Sequence, residues 1–136
     1  MKATINQFRK KADKYLDDSW LFLKPTDKLS DQTRKIIIQN NIDLDSLVVV
    51  HFKNLQDWFA IGLSGIHIFQ EKELQFMSYD EIADAQIIKD FQQKNPKIAA
   101  DTLKLTLING SQFYLKCLDV GAVYSIYGLI TWPLTI

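Results

Sequence analysis

The chain contains 136 residues, of which 47% are hydrophobic and 24% are charged, a composition typical of a folded globular domain. Sixteen basic residues balance sixteen acidic ones, so no net charge favours nucleic acid as a partner. The single cysteine excludes an internal disulfide and a cysteine-rich zinc site, which favours a reducing, cytoplasmic environment. We therefore expect one cytoplasmic domain over residues 1–136, with no metal and no cofactor.

The N-terminal part has the pattern of two helices. Apolar side chains recur at spacings of three and four across residues 5–20, with charged residues between them. Pro25 then disfavours helix at the preceding residue, and Thr26 or Asp27 can cap a second helix. The sequence therefore predicts an α-hairpin over residues 3–40.

After residue 46 the apolar pattern changes to short β-branched and alternating runs. The connections between most of these runs are short, which is typical of antiparallel neighbours. The longer gap from Asp90 to Asp101 is expected to form a loop with some helical turn. The seven predicted strands are Leu47–Phe52, Trp58–Leu63, Ile66–Phe69, Leu74–Met77, Ala85–Ile88, Thr102–Ile108 and Gln112–Leu118.

The register of the last hairpin can be predicted from its turn. A three-residue loop ending at Gly110 would pair Leu105 with Phe113, which keeps the apolar faces together. A two-residue turn would instead place Lys116 opposite Leu103. We expect the three-residue loop, because it also puts glycine at the left-handed position, where a side chain would be strained.

The C-terminal segment carries no charged residue from Val120 to Ile136. Its helical spacing predicts a helix capped by Asp119 and ending at Trp132, before Pro133. The run has 17 residues, fewer than the roughly 20 apolar residues that a membrane span needs. We expect a helix that is mostly buried. The aromatic and apolar side chains left over form the predicted partner-binding surface: Tyr124, Tyr127, Leu129, Trp132 and Leu134.

Seven strands followed by one helix is an element order similar to that of pleckstrin-homology-like barrels. Within Gly62–Ile82, a small turn at Ser64-Gly65, a charged turn at Glu71–Glu73 and a Tyr-x-x-Ile step resemble bacterial PH and GRAM domains. This resemblance covers about residues 46–132. It implies an α+β fold in which the N-terminal α-hairpin precedes a seven-stranded antiparallel barrel that the C-terminal helix closes.

Phosphoinositide binding is not expected, although some relatives of this kind bind these lipids. An inositol phosphate needs several converging basic side chains. The loop between the first two barrel strands offers only Lys53, beside the opposing Asp57.

No arrangement of residues in the sequence predicts catalysis. His51 and His67 each lie in an apolar strand without an identifiable nucleophile or carboxylate partner, and Cys117 lies on the apolar side of its strand. We therefore expect no catalytic residue and no enzyme activity. A small hydrolase using His67 with an unseen carboxylate is the competing hypothesis.

The favoured function is a non-catalytic interaction module that binds a protein partner or a second copy of itself. The alternative is an adaptor for a membrane surface, contacting anionic lipid through the basic N-terminal helix. Residues 1–14 carry a net charge of +4 and residues 71–90 a net charge of −4, which could link two chains or dock the helix on its own barrel. The residues predicted for membrane contact are Lys2, Arg9, Lys10, Lys11 and Lys14.

Overall fold

The computed structural model describes residues 4–89 and 100–134. Over these residues the fold is α+β, with three α-helices and two antiparallel sheets of five and three strands. The segment from Asp90 to residue 99, where a loop with a helical turn was expected, lies outside them. In chain order the helices and strands are α1 (Ile5–Tyr15), β1 (Leu23–Pro25), α2 (Asp31–Gln39), β2 (Leu47–Asn54), β3 (Asp57–Gly62), β4 (Gly65–Gln70), β5 (Glu73–Ser78), β6 (Ile82–Lys89), β7 (Ala100–Leu107), β8 (Gln112–Lys116) and α3 (Ala122–Leu134).

The segment between α1 and α2 differs from the predicted α-hairpin. The strand β1 follows α1 and pairs antiparallel with β2, Leu23 lying opposite His51. The helix α2 is capped by Ser30, which accepts a hydrogen bond from the Thr33 N–H. The predicted cap residues lie in a 3-10 turn earlier in the chain. An extended segment with its own strand pairing therefore separates the two helices.

The two N-terminal helices lie on opposite faces of the five-stranded sheet. Phe8 of α1 belongs to the larger core, together with Phe59 and Ile61 of β3. Ile37 of α2 belongs to a smaller core, together with Trp58 and other side chains from the opposite face of that sheet. The α-hairpin prediction was wrong in this respect, because α1 and α2 pack against the sheet and not against each other.

The seven strands predicted after residue 46 are all present, but they do not form a closed barrel. They are divided between the sheet β1-β2-β3-β4-β5 and the sheet β6-β7-β8. A 3-10 turn at Tyr79–Glu81 ends β5 and redirects the chain into β6. The strands β5 and β8 are therefore edges of different sheets, and in residues 4–89 and 100–134 no ladder joins them.

The register predicted for the last hairpin is confirmed. Leu105 lies opposite Phe113 and Leu103 opposite Leu115, so both apolar faces point into the core. Gly110 ends the three-residue loop with φ of 91°, and its N–H donates to the Leu107 carbonyl at 3.0 Å. The preference of glycine for this conformation and the alternation of the strands select the same register.

The central strand β2 is buried on both faces. Val48 and Val49 contribute to the larger core, which β6, β7, α1 and α3 also line, whereas Leu47 and Val50 contribute to the smaller core beneath α2. A strand covered on both sides reads as a continuous apolar run and not as an alternating one. This explains the sequence LVVV at the start of β2.

The helix α3 packs on β6, β7 and α1, and Pro133 lies in its last turn. Asp119 does not act as its predicted N-cap. The Asp119 carboxylate instead accepts hydrogen bonds from the backbone N–H groups of the first residue of β1 and of the two residues before it. Across the described ranges, no helix combines the length and hydrophobicity needed to cross a membrane.

Candidate interaction surfaces

An exposed apolar stripe runs along α3. Val120, Tyr124, Tyr127 and Leu134 have exposed fractions of 58%, 43%, 38% and 42%. The spacings of three and seven residues place Tyr124, Tyr127 and Leu134 on one side of α3, while the opposite side is fully buried, and Val120 lies in the turn just before the helix. We call these four residues the α3 stripe.

The predicted partner-binding residues are divided between this surface and the core. Tyr124, Tyr127 and Leu134 belong to the α3 stripe. Leu129 is fully buried on the core side of α3, so it is unable to contact a partner without unfolding of the helix. Trp132 is half-buried and packs edge-on against Phe8, with the ring centroids 5.3 Å apart.

The basic residues predicted for membrane contact do not form one free surface. The Arg9 guanidinium donates to the carbonyls of Asp45 and Leu47, which ties α1 to the start of β2. Lys11 Nζ lies 6.0 Å from the centre of the Trp132 ring, in a cation–π arrangement. Lys10 and Lys14 are exposed, and Lys2 lies outside the described residues.

His51 is buried and has a structural role. Its Nε2 accepts a hydrogen bond from the Leu118 N–H at 3.1 Å, and its ring stacks on Phe59 with the centroids 4.9 Å apart. Burial lowers the pKa of His51 to about 4, and the nearby negative charge of Asp119 only partly opposes this effect. A neutral histidine without access to solvent suits a packed core.

His67 and Cys117 both lie in apolar surroundings. His67 is half-buried beside Phe76, with the ring centroids 4.7 Å apart, and burial lowers its pKa. The Cys117 thiol is 2% exposed, and burial raises its pKa to about 12, which keeps it protonated at neutral pH. In the described part of the chain, no cluster of three or more His, Cys, Asp or Glu side chains could hold a metal ion.

The tyrosine of the Tyr-x-x-Ile step has a structural partner. The Tyr79 hydroxyl donates to the Gly62 carbonyl at 2.7 Å, in a buried hydrogen bond. Burial raises the pKa of Tyr79 well above its ordinary value. This bond joins the end of β3 to the 3-10 turn that precedes β6, which explains why a tyrosine occupies this turn.

The sequence did not reveal the most unusual polar contact, which is made by Asp119. Its carboxylate accepts hydrogen bonds from the backbone N–H groups of Leu21, Phe22 and Leu23 at 2.8, 2.9 and 2.9 Å. Asp119 is only 9% exposed. The one feature of the sequence that could have indicated this role is the position of Asp119 directly before a long run without charged residues.

A second feature that the sequence did not reveal is an open cleft between β5 and β8, which we call the β5–β8 cleft. It comprises two adjoining cavities of about 240 and 600 Å³ that share Gln75 and Phe113 in their walls. The Gln70 side chain crosses one end and donates to the Tyr114 carbonyl at 2.9 Å. At the other end the Ile108 N–H donates to the Glu81 carbonyl at 2.9 Å.

Another cavity, of about 330 Å³, lies between α1, α2 and β2. Arg9 and Arg34 border it together with exposed aspartates, and Arg34 donates to the carbonyls of Thr26 and Leu29. Both guanidinium groups are bonded to backbone carbonyls, so their evident role is to hold the N-terminal segment on the sheet.

Comparison of the chain with protein-family models, with curated proteins and with solved structures finds no match. The resemblance to pleckstrin-homology-like domains therefore depends on the element order and the motifs of this chain alone.

Proposed function

We propose that the protein is a non-catalytic interaction module that binds a protein partner through the α3 stripe. The observation that supports this proposal most directly is the exposure of two tyrosines and a leucine along one side of an otherwise buried helix. Tyrosine is enriched in protein interfaces because it combines a large apolar ring with a hydroxyl that can stay hydrated.

The surroundings of the α3 stripe also favour a protein over a membrane. The helix has no charged residue, so nothing on it would attract anionic lipid. Of the basic side chains on α1, Arg9 is bonded to β2 and Lys11 lies over aromatic rings. A rigid stripe of aromatic and aliphatic side chains is instead suited to a groove or a helix of another protein.

We further propose that residues 46–132 form a scaffold of the pleckstrin-homology-like class. The order of seven strands and one helix supports this assignment, as does the packing of α3 against β6 and β7. The separation of β5 from β8 departs from a fully closed barrel. The fold by itself implies no ligand.

Site-specific photocrosslinking in cells tests the interaction. A photoreactive phenylalanine analogue replaces Tyr124 in the full chain, and in a matched control it replaces Leu55, which is 51% exposed on the β2–β3 turn. We expect a discrete crosslinked species from position 124 that is absent from position 55. Crosslinks that are equal at the two positions, or absent from both, would contradict the proposal.

The same experiment distinguishes the possible partners. A crosslink of the purified protein to itself would identify a second copy as the partner. With the analogue kept at position 124, that crosslink should be lost when Tyr127 and Leu134 are replaced by serine. Sedimentation with vesicles of anionic lipid tests the membrane alternative, for which we expect no binding at low salt. If the wild type binds the vesicles and the variant Lys10→Glu/Lys14→Glu does not, the partner is a lipid surface and not a protein.

A further inference from the structure

The free edge of β5 presents backbone groups to the β5–β8 cleft. The β4–β5 turn has two residues, Glu71 and Lys72, both with positive φ, so the flanking pair of Gln70 and Glu73 is the hydrogen-bonded one. Hydrogen bonds in an antiparallel ladder alternate along the strand. The N–H and C=O groups of Leu74 and Phe76 therefore point away from β4, toward the cleft.

The edge of β8 faces the same cleft. On this strand the Ser111 carbonyl accepts from Leu107 and the Cys117 N–H donates to Asp101, so odd-numbered residues bond to β7. The groups of Gln112 and Tyr114 point outward by the same alternation. The hydrogen bond from the Gln70 side chain to the Tyr114 carbonyl agrees with this assignment.

The interior of the cleft suits the side chains of an extended polypeptide. Ile68, Leu107 and Phe113 provide apolar surface, and Phe76 and Ile108 are 49% and 72% exposed at its rim. An exposed strand edge beside apolar surface is a site where another chain can add a strand. Alternate side chains of that strand would cover the apolar surface, and the others would face water.

The charge of the cleft indicates what kind of segment would bind. In the described ranges, all the charged side chains that line it are acidic: Glu71, Glu73, Asp80 and Glu81. We propose that the β5–β8 cleft binds an extended basic segment of a partner protein as a strand added to the free edge of β5. The segment carries apolar residues alternating with lysine or arginine. This surface is separate from the α3 stripe, and the inference goes beyond the function proposed above.

A synthetic peptide of about eight residues, alternating valine or threonine with lysine, provides the probe. We expect it to bind the full chain at least about tenfold more tightly than the same peptide with glutamate in place of lysine. Two further peptides keep the charge but carry N-methyl groups on alternate residues, one at the odd positions and one at the even positions, which removes backbone donors. We expect at least about a tenfold loss of affinity for one of the two N-methylated registers. Equal affinity of the methylated and unmethylated peptides, or no binding of the basic peptide, would overturn the proposal.

Two variants at one position test the edge of β5 directly. Phe76→Pro removes the outward N–H, whereas Phe76→Val removes the ring but keeps that N–H, and proline is tolerated at the outward positions of an edge strand. We expect Phe76→Pro to bind the basic peptide about fivefold more weakly than Phe76→Val. Equal affinities of the two variants would contradict strand addition.

Hydrogen exchange of the wild-type protein provides a test that does not depend on the folding of a variant. We expect the amides of Leu74 and Phe76 to exchange at least about tenfold more slowly when the basic peptide is bound. Binding that leaves these two amides unprotected would overturn the proposal. The variant Tyr124→Ser is expected to bind the peptide as the wild type does, so loss of the α3 interaction and loss of the cleft interaction can be distinguished.

Discussion

Nε2 of His51 accepts a hydrogen bond from the backbone N–H of Leu118, although 67 positions of the chain separate the two residues. The bond joins the centre of β2 to the segment that leads from β8 to α3. It requires an unprotonated Nε2, because a protonated nitrogen would point its own hydrogen at the Leu118 N–H. The stability of this junction should therefore depend on pH.

We expect the protein to lose stability as the pH falls from about 6.5 toward about 4. The folded-state pKa of His51, about 4, lies below its unfolded value of 6.5, so the unfolded chain binds the extra proton in this range. Acidification from about pH 7.5 to about pH 5 should remove about 2 kcal/mol of unfolding free energy through this residue. Urea unfolding at several pH values measures the effect.

The control for this prediction is His51→Gln, whose side-chain oxygen can accept the same hydrogen bond but does not titrate. Its unfolding free energy should depend less steeply on pH than that of the wild type. Parallel pH profiles for the two proteins would show that His51 is not the responsible group.

The Asp119 carboxylate is expected to be essential for stability. Replacement by alanine leaves the N–H groups of Leu21, Phe22 and Leu23 without their acceptor in a half-buried setting, which should cost about 4 kcal/mol. Asp119→Asn retains one acceptor oxygen and should cost about 2 kcal/mol. Chemical denaturation measures both values. A stability of Asp119→Ala within about 0.5 kcal/mol of the wild type would contradict this interpretation.

Gly65 is expected to tolerate no side chain. A Cβ atom there would lie 2.1 Å from the Met77 carbonyl oxygen, which is backbone and unable to move without breaking the β4–β5 ladder. We expect Gly65→Ala to cost more than about 3 kcal/mol or to prevent folding. At Gly110, by contrast, nothing lies within 4 Å, and the positive φ alone should limit the cost of alanine to about 1 kcal/mol. Thermal unfolding of the two variants tests this order, and equal losses would contradict it.

Cys117 is expected to be unreactive in the folded protein. With its pKa raised to about 12 and 2% of its surface exposed, the thiol offers almost no thiolate to a reagent at mildly alkaline pH. A chromogenic disulfide reagent should label it only as fast as the protein unfolds, and labelling should be rapid and complete in urea. Rapid labelling without denaturant would show that the end of β8 opens readily.

The parts of the fold that the sequence predicted well are those determined by local rules. The seven strands after residue 46 follow from short apolar runs and turn residues, and the register of the last hairpin follows from Gly110 and the alternation around it. Each of these signals comes from residues that are close in the chain.

The parts that were missed depend on distant residues. The segment Leu23–Pro25 has no strand signal of its own. It is extended because β2 lies beside it and because the Asp119 carboxylate accepts a hydrogen bond from the N–H of its first residue. The separation of β5 from β8 depends on the relative placement of two sheets, which no local pattern encodes. The helix α3 has no charged residues, so its sequence does not distinguish the exposed side from the buried side, and the burial of Leu129 could not be predicted.

The hydrogen bonds of Asp119 also constrain how the protein folds during synthesis. They join residues 96 to 98 positions apart, and the aromatic contact of Phe8 is with Trp132 of α3. A nascent chain that has not yet emerged beyond residue 119 lacks these partners, so α1 has no α3 against which to dock. The N-terminal segment can therefore complete its packing only after the ribosome has synthesised Asp119 and α3.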